Sequence, residues 1–239
     1  MKTRILVGTI ALMAGSLLAA DSGPKDDVAA AATKLAGSGS YSWKSLMDLG
    51  PNSQFTPGPT EGKLDDQGYT WLSATYNDNT TEGVKKGDKV AVKGEDGWQS
   101  ASDAEAGGGG GGGFNPVTIM ARRMQNLKPP AAEVQDLLTK VADLKKDGDV
   151  YSGDLTEKGA KDLMMGFRRR RAGPGPTDAK GSVKFWIKDG ALTKFQTHVT
   201  GKVEFNGEER DIDRTVTTEV KDVGTTKLSL PDEAKKKLS

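Results

Sequence analysis

Between Val183 and Val220 apolar and polar residues alternate over three long runs. Val183, Phe185 and Ile187 are interleaved with Lys184, Trp186 and Lys188. Phe195 and Val199 then take odd positions, while Lys194, Gln196, His198 and Thr200 take even ones. A period of two marks a strand with one buried face. Residues opposite each other in an antiparallel pair share a face, so each turn can be tested by parity. Across the first turn odd must meet odd. A two-residue Asp189-Gly190 loop would set Phe185 opposite Lys194, so the expectation is a three-residue Lys188-Asp189-Gly190 loop with Gly190 left-handed at a bulge. Across the second turn Val203 and Phe205 are odd, but Ile212, Val216 and Val220 are even. A two-residue Asn206-Gly207 turn supplies that change. The predicted apolar face holds Val183, Phe185, Ile187, Phe195, Val199, Val203, Phe205, Ile212, Val216 and Val220. The other face carries Lys, Glu, Asp, Thr and Gln and should meet water.

Earlier in the chain the same period recurs in shorter runs. "SYSWKSLMD" (Ser40–Asp48) reads as a strand. "EGKLDDQGYTWLSATYND" reads as two strands with a turn at Asp66–Gly68, and "VKKGDKVAVKGEDGWQ" as short strands turning at Lys86–Asp88 and Glu95–Gly97. The middle changes period. "NPVTIMARRMQNL" predicts a helix started by Pro116, and "AAEVQDLLTKVADLKK" places Val134, Leu137, Leu138, Val141 and Leu144 along one helical face. "DGDVYSGDL" looks extended, and "TEKGAKDLMMGF" is a short helix with Thr156 as its N-cap. A one-sided sheet must bury its apolar face, and the helices between Val117 and Phe167 are the available cover. The predicted class is α+β: a curved antiparallel sheet, an open half-barrel, wrapped over a mid-chain helical insert.

The N-terminus alters the picture of where such a domain works. Lys2 and Arg4 precede "ILVGTIALMAGSLLAA", a short apolar run ending in small residues. That pattern predicts a secretory signal peptide over residues 1–20, cleaved after Ala20. Its loss turns the net charge from +1 to −1. The run is short for a membrane span, and no later segment is long enough to be a transmembrane one. Leu18-Ala19-Ala20 would suit a lipoprotein box, but Asp21 stands where a lipid-bearing Cys would be needed. The expected product is exported, periplasmic or extracellular, and soluble. With no Cys there are no disulfides. Residues 21–39 read as a weak helix at Asp26–Leu35 or as a tether, followed by one α+β domain over residues 40–239. Low-complexity loops fall at 100–115 and 168–180. The near-zero charge gives no reason to expect a nucleic-acid partner.

Candidate chemistry is thin. Gly107–Gly113 could cradle a phosphate, but no Lys-Ser or Lys-Thr follows, and a flexible linker is the better reading. His198 is the one histidine and falls on the polar face beside Lys194 and Gln196, where an exposed structural role is expected over a general base. "DLKKDGDVYSGD" fails the calcium-loop spacing, since Ser152 and Lys158 stand where glycine and glutamate are required. Asp211 and Asp213 share a strand face and read as solvated charges. Arg168–Arg171 is either a solvated charge run or a grip on phosphate headgroups. Trp186 falls on the polar face, where it covers an edge or meets a partner. Core or edge packing is expected for Trp43, Trp71 and Trp98. No catalytic residue, metal site or cofactor is expected.

The order of these segments resembles the LolA-like superfamily of envelope carriers, including the LppX/LprG-type lipoproteins. The matching features are the "YSWKS" strand, the Gly-punctuated early meander, the mid-chain helices and the long hairpin "VKFWIKDGALTKFQTHVTGKVEF". The closing "DVGTTKLSLPDEAKKKL" is similar to that family's last strand and Pro-started tail. The glycine run, the arginine run and the missing Cys depart from the family. The resemblance implies an exported, non-catalytic protein that binds a lipid, an acyl chain or lipidated cargo between sheet and helices. The residues expected to line that space are Phe185, Ile187, Phe195, Val199, Val203, Phe205, Ile212 and Val216, with Met120 and Met124 from the helices. Met164 and Met165 share the adaptable chemistry of methionine, although ordinary core filling is the plainer account of all four. A lipid or acylated protein and an envelope protein are the partners implied. The alternative is a periplasmic structural or protein-interaction module with the same fold and a filled concavity.

Overall fold

The computed structural model describes residues 23–51, 53, 56–76, 79–107, 115–166, 175–205 and 207–239. The predicted leader, Gly108–Gly113, the Arg168–Arg171 run and the side chain of Phe205 lie outside the described residues. The first part of the chain gives α1 (Pro24–Gly37), β1 (Tyr41–Asp48), β2 (Thr60–Leu64), β3 (Tyr69–Tyr76), β4 (Asn79–Lys86), β5 (Lys89–Gly94) and β6 (Gly97–Ser100). The middle gives α2 (Ala101–Gly107), α3 (Pro116–Gln125), α4 (Pro130–Leu138), β7 (Lys145–Asp147), β8 (Val150–Asp154) and α5 (Glu157–Met165). The last part gives β9 (Thr177–Lys188), β10 (Ala191–Phe205), β11 (Glu208–Lys221) and α6 (Asp232–Lys237).

All eleven strands join one antiparallel sheet in the order β6-β5-β4-β3-β2-β1-β11-β10-β9-β8-β7. The ends of that order do not pair, so the curved sheet stays open. The long β10–β11 hairpin and the early meander meet where β1 pairs with β11, Trp43 opposite Val220 and Met47 opposite Val216. Helices line the inner face in two groups. α2 and α3 pack over β3–β6, and α1 and α5 pack over β9 and β10, with α4 lying on α1. Local signals start these helices. Asn115 accepts hydrogen bonds from the N–H groups of Val117 and Thr118 at the head of α3, and Thr156 accepts from Gly159 N–H at 3.0 Å at the head of α5.

Several expectations change. The first hairpin turn is the two-residue Asp189-Gly190, with Lys188 opposite Ala191 and both turn residues at positive φ. The parity requirement is met elsewhere. A bulge between Leu192 and Lys194 makes Thr193 the extra residue, and Phe185 comes to face Phe195. The second turn matches the expectation, since Phe205 pairs with Glu208 across two residues. α4 stops at Leu138, where Thr139 Oγ1 donates to the Asp136 carbonyl at 2.7 Å. Val141 and Leu144 are buried, but from extended chain leading into β7. α1 is no tether: Val28, Ala31, Ala32 and Leu35 are buried, and Tyr151 OH donates to Asp27 at 2.8 Å. Its small alanines let the helix lie close to α4. The segment after Lys221 forms no strand. Instead Leu228–Leu238 crosses the outer face and buries Leu230, Ala234 and Leu238 against Val84, Ala91 and Trp98.

Candidate functional site

The register assembles the inner face as transverse rows. One row runs Tyr151, Phe185, Phe195, Thr218, Ser45, Thr60 and Ala74 through successive strand pairs. Its middle is a belt of hydroxyls. Ser45 Oγ and Thr218 Oγ1 are 2.8 Å apart, and Arg123 Nη2 donates to Thr60 Oγ1 at 3.0 Å. Burial without such partners would cost each hydroxyl its hydrogen bonds to water. On one side of the belt Tyr41 and Trp43 lie with their ring centroids 5.9 Å apart. Burial pushes the Tyr41 hydroxyl up to about 12, against a hydrogen bond with the backbone of Ala131 in α4. On the other side the next row is Val183, Thr197, Val216 and Met47, followed by Val199 opposite Arg214 and by Gly201 opposite Ile212.

The predicted lining residues therefore divide. Phe185, Phe195, Val199, Ile187 and Val203 are buried on the wall of β9 and β10. Ile212 and Val216 share that face but are half-buried, as is Met47 beside Val216. Met120 and Met124 are fully buried at the opposite end of the sheet, on α3 over Gly83 of β4. From the helices, Met164 of α5 meets the wall of β9–β11, packed over Gly201, where a Cβ would come within 3.0 Å of its sulfur. Sequence reasoning passed over Arg214. Its even position between Ile212 and Val216 puts it on the apolar face, and that parity was the available signal. Its guanidinium donates to the Leu163 carbonyl at 2.7 Å, and burial holds its pKa below the usual range.

Glu133 of α4 sits among Arg123, Lys128 and Asp136, and burial pushes its carboxyl up to about 7 against the pull of the two cations. His198 lies on the outer face, 2.9 Å from Asp213, as a half-exposed pair. Trp186 is also on the outer face, with Lys194 Nζ 4.1 Å from its ring centroid. A groove of about 410 Å³ opens on that same outer side of the sheet, between Trp71, Trp98, Lys63 and the Lys227–Pro231 segment. It is not on the wall that carries the predicted lining residues. Among the described residues no three His, Cys, Asp or Glu side chains cluster as a metal site. No helix among them is long and apolar enough to cross a membrane.

No family model matches the chain, and a search of curated proteins finds no match. Among solved structures it is similar to the lipoprotein LppX of Mycobacterium tuberculosis, with 12% identity, a TM-score of 0.42, and coverage of 82% of this chain and 92% of that one. It is also similar to LprF of Mycobacterium bovis, with 12% identity, a TM-score of 0.46, and coverage of 88% of this chain and 97% of that one.

Proposed function

We propose that this chain is an exported, non-catalytic binding protein for a lipid, an acyl chain or lipidated cargo in the cell envelope. One observation carries the reading: the apolar wall of β9–β11 runs out from the packed core to half-buried Ile212, Val216 and Met47. That is the part of the wall an acyl chain reaches first. Each methylene moved there from water contributes about 0.8 kcal/mol. Val199, Val203 and flexible Met164 extend the seat. Phe185, Phe195 and Ile187 lie deeper in the same wall and join the lining once the helices part, whereas Met120 and Met124 lie over β4 at the other end of the sheet. The apolar leader supports export.

A second reading is favoured by a different observation. Phe185, Phe195, Met120 and Met124 are all buried in one continuous cluster with the helices. A module with a filled concavity, serving structure or protein interaction, would look the same. Native mass spectrometry of protein purified from its own host separates the two. Co-purified lipid, and a fluorescent fatty acid whose binding is weakened about tenfold or more by Val216→Trp, support the carrier. Ligand-free protein that also ignores the fatty acid overturns it in favour of the filled module.

A further inference from the structure

The outer face of β7–β10 carries a group of lysines. Alternation puts Lys180, Lys184 and Lys188 of β9 on it, with Lys194 of β10 beside Trp186 and Lys145 of β7 two strands away, opposite Ser152. Lys145, Lys180, Lys184 and Lys188 are exposed, and none of the four makes an ion pair among the described residues. Elsewhere on this face charges are matched: Lys202 bonds Glu209 at 2.6 Å, and Glu219, opposite Lys194, is 3.1 Å from Lys221. Two carboxylates stand among the patch lysines: Asp147 shares a row with Val150 and Trp186, and Asp154 faces Ser182 between Lys180 and Lys184, while Glu204 lies at the end of β10. Since the whole chain is nearly neutral, five lysines against Asp147 and Asp154 on this part of the face make a local positive excess.

We infer that this face docks on an anionic lipid surface. A protein partner would ask for a pocket or a fixed set of pairs. This face offers long ammonium groups without ion-pair partners on the outer side of the sheet, which suits a diffuse negative charge without register. Trp186 strengthens the choice. Its half-buried indole lies at the centre of the lysines, opposite Val150, and an amphipathic ring is suited to the headgroup level of a bilayer. The surface does not depend on whether the concave face carries cargo, so the two proposals fail separately.

The test is co-sedimentation of the whole mature chain with vesicles of phosphatidylglycerol and phosphatidylcholine in equal parts, against phosphatidylcholine alone. A lysine near an anionic leaflet contributes roughly a fivefold gain in partitioning. Lys184→Gln with Lys188→Gln should therefore lower binding roughly 25-fold, and Trp186→Ala should lower it further at high salt, where charge is screened. Lys236→Gln with Lys237→Gln on α6 removes the same charge elsewhere and should leave binding nearly intact. Equal binding to both vesicle types, or an equal loss in the α6 control, overturns the inference. So does patch-dependent capture of poly-glutamate by protein that ignores anionic vesicles, which would assign the face to an acidic protein.

Discussion

The sheet has two halves that treat their faces differently. In β5 Val90, Ala91 and Val92 are all buried, because α2 and α3 lie on one side and the Leu228–Leu238 segment on the other. In β9 Val183, Phe185 and Ile187 are buried while Lys184 and Lys188 are exposed. The strand geometry is the same, so alternation records how many layers cover a strand. The sandwiched half is anchored from both sides. The one-sided half depends wholly on which residues face inward, and its free face is available for other work. The sharpest way to break that comparison is to shift parity within the one-sided half. Deleting Gln196 would turn Val199 and Val203 outward and bring Thr200 and Lys202 under the helices. The lost burial of two valines, about 2 kcal/mol each, and an unpaired inward lysine costing several more are comparable to the ~5–15 kcal/mol that holds an ordinary domain. The variant should lack native far-ultraviolet circular dichroism. Deleting Thr193 is the control. It removes the extra residue while keeping Phe185 opposite Phe195, so the fold should survive. A folded Gln196 deletion would mean that the sheet absorbs slips by forming new bulges.

The difference between the halves also explains what was legible in the sequence. Face parity in β9–β11 could be read residue by residue, because water on one side forces alternation. The turn was misplaced because parity fixes only the total count between Phe185 and Phe195. Whether the odd residue sits in the loop or at Thr193 is decided by local backbone preference, and Asp189-Gly190 suits a two-residue turn with both φ positive. The helix ending at Leu138 was read too long because Val141 and Leu144 keep the spacing while belonging to extended chain. The second cover was invisible, since Leu228, Leu230, Ala234 and Leu238 are too few to show a period. Of the candidate site, the wall was legible by parity. The separation of Met120 and Met124 from it was not, because helix composition does not say which strand lies beneath.

Breaking the outer cover should cost less than breaking parity. Ala234 is fully buried between Val84, Ala91 and Trp98. Ala234→Asp places an unpaired charge there and should lower stability by about 3 kcal/mol. Urea unfolding reads it as a lower midpoint with an unchanged slope. The comparison predicts that vesicle binding by the other half is untouched in the protein that remains folded.

The helix layer between the halves can be probed by pH through Glu133. Its carboxyl titrates at about 7 in the fold, against 4.5 ordinarily. Between those values the folded chain holds a proton that the unfolded chain has released. Stability therefore falls as pH rises from about 4.5 to about 7 and then levels off. Because Glu133 keeps some surface in water, the loss is at most about 3 kcal/mol. Glu133→Gln should remove that part of the slope in urea midpoints taken across the window. An unchanged slope would show that Arg123 and Lys128 already hold the carboxylate ionised, and that the seam between the halves is wet.

The smallest effect tests whether turn and bulge act as separate devices. Asp189 has φ 52° and Gly190 φ 69°, so both sit in the left-handed region. Asn tolerates that region better than Asp in a two-residue hairpin turn, and Asp189→Asn should raise stability by a few tenths of a kcal/mol, roughly 0.3–0.5. Asp189→Ala should lower it by about 1 kcal/mol. Neither change touches Thr193, whose hydroxyl donates to the Trp186 carbonyl at 3.2 Å and fixes the bulge from the strand side. If the two devices are independent, each substitution should shift the urea midpoint by the same amount with or without Thr193. Non-additive shifts would mean that the turn chooses its length only because the bulge is there to restore Phe185 to Phe195, and parity in the one-sided half would then be the property of the hairpin as a unit.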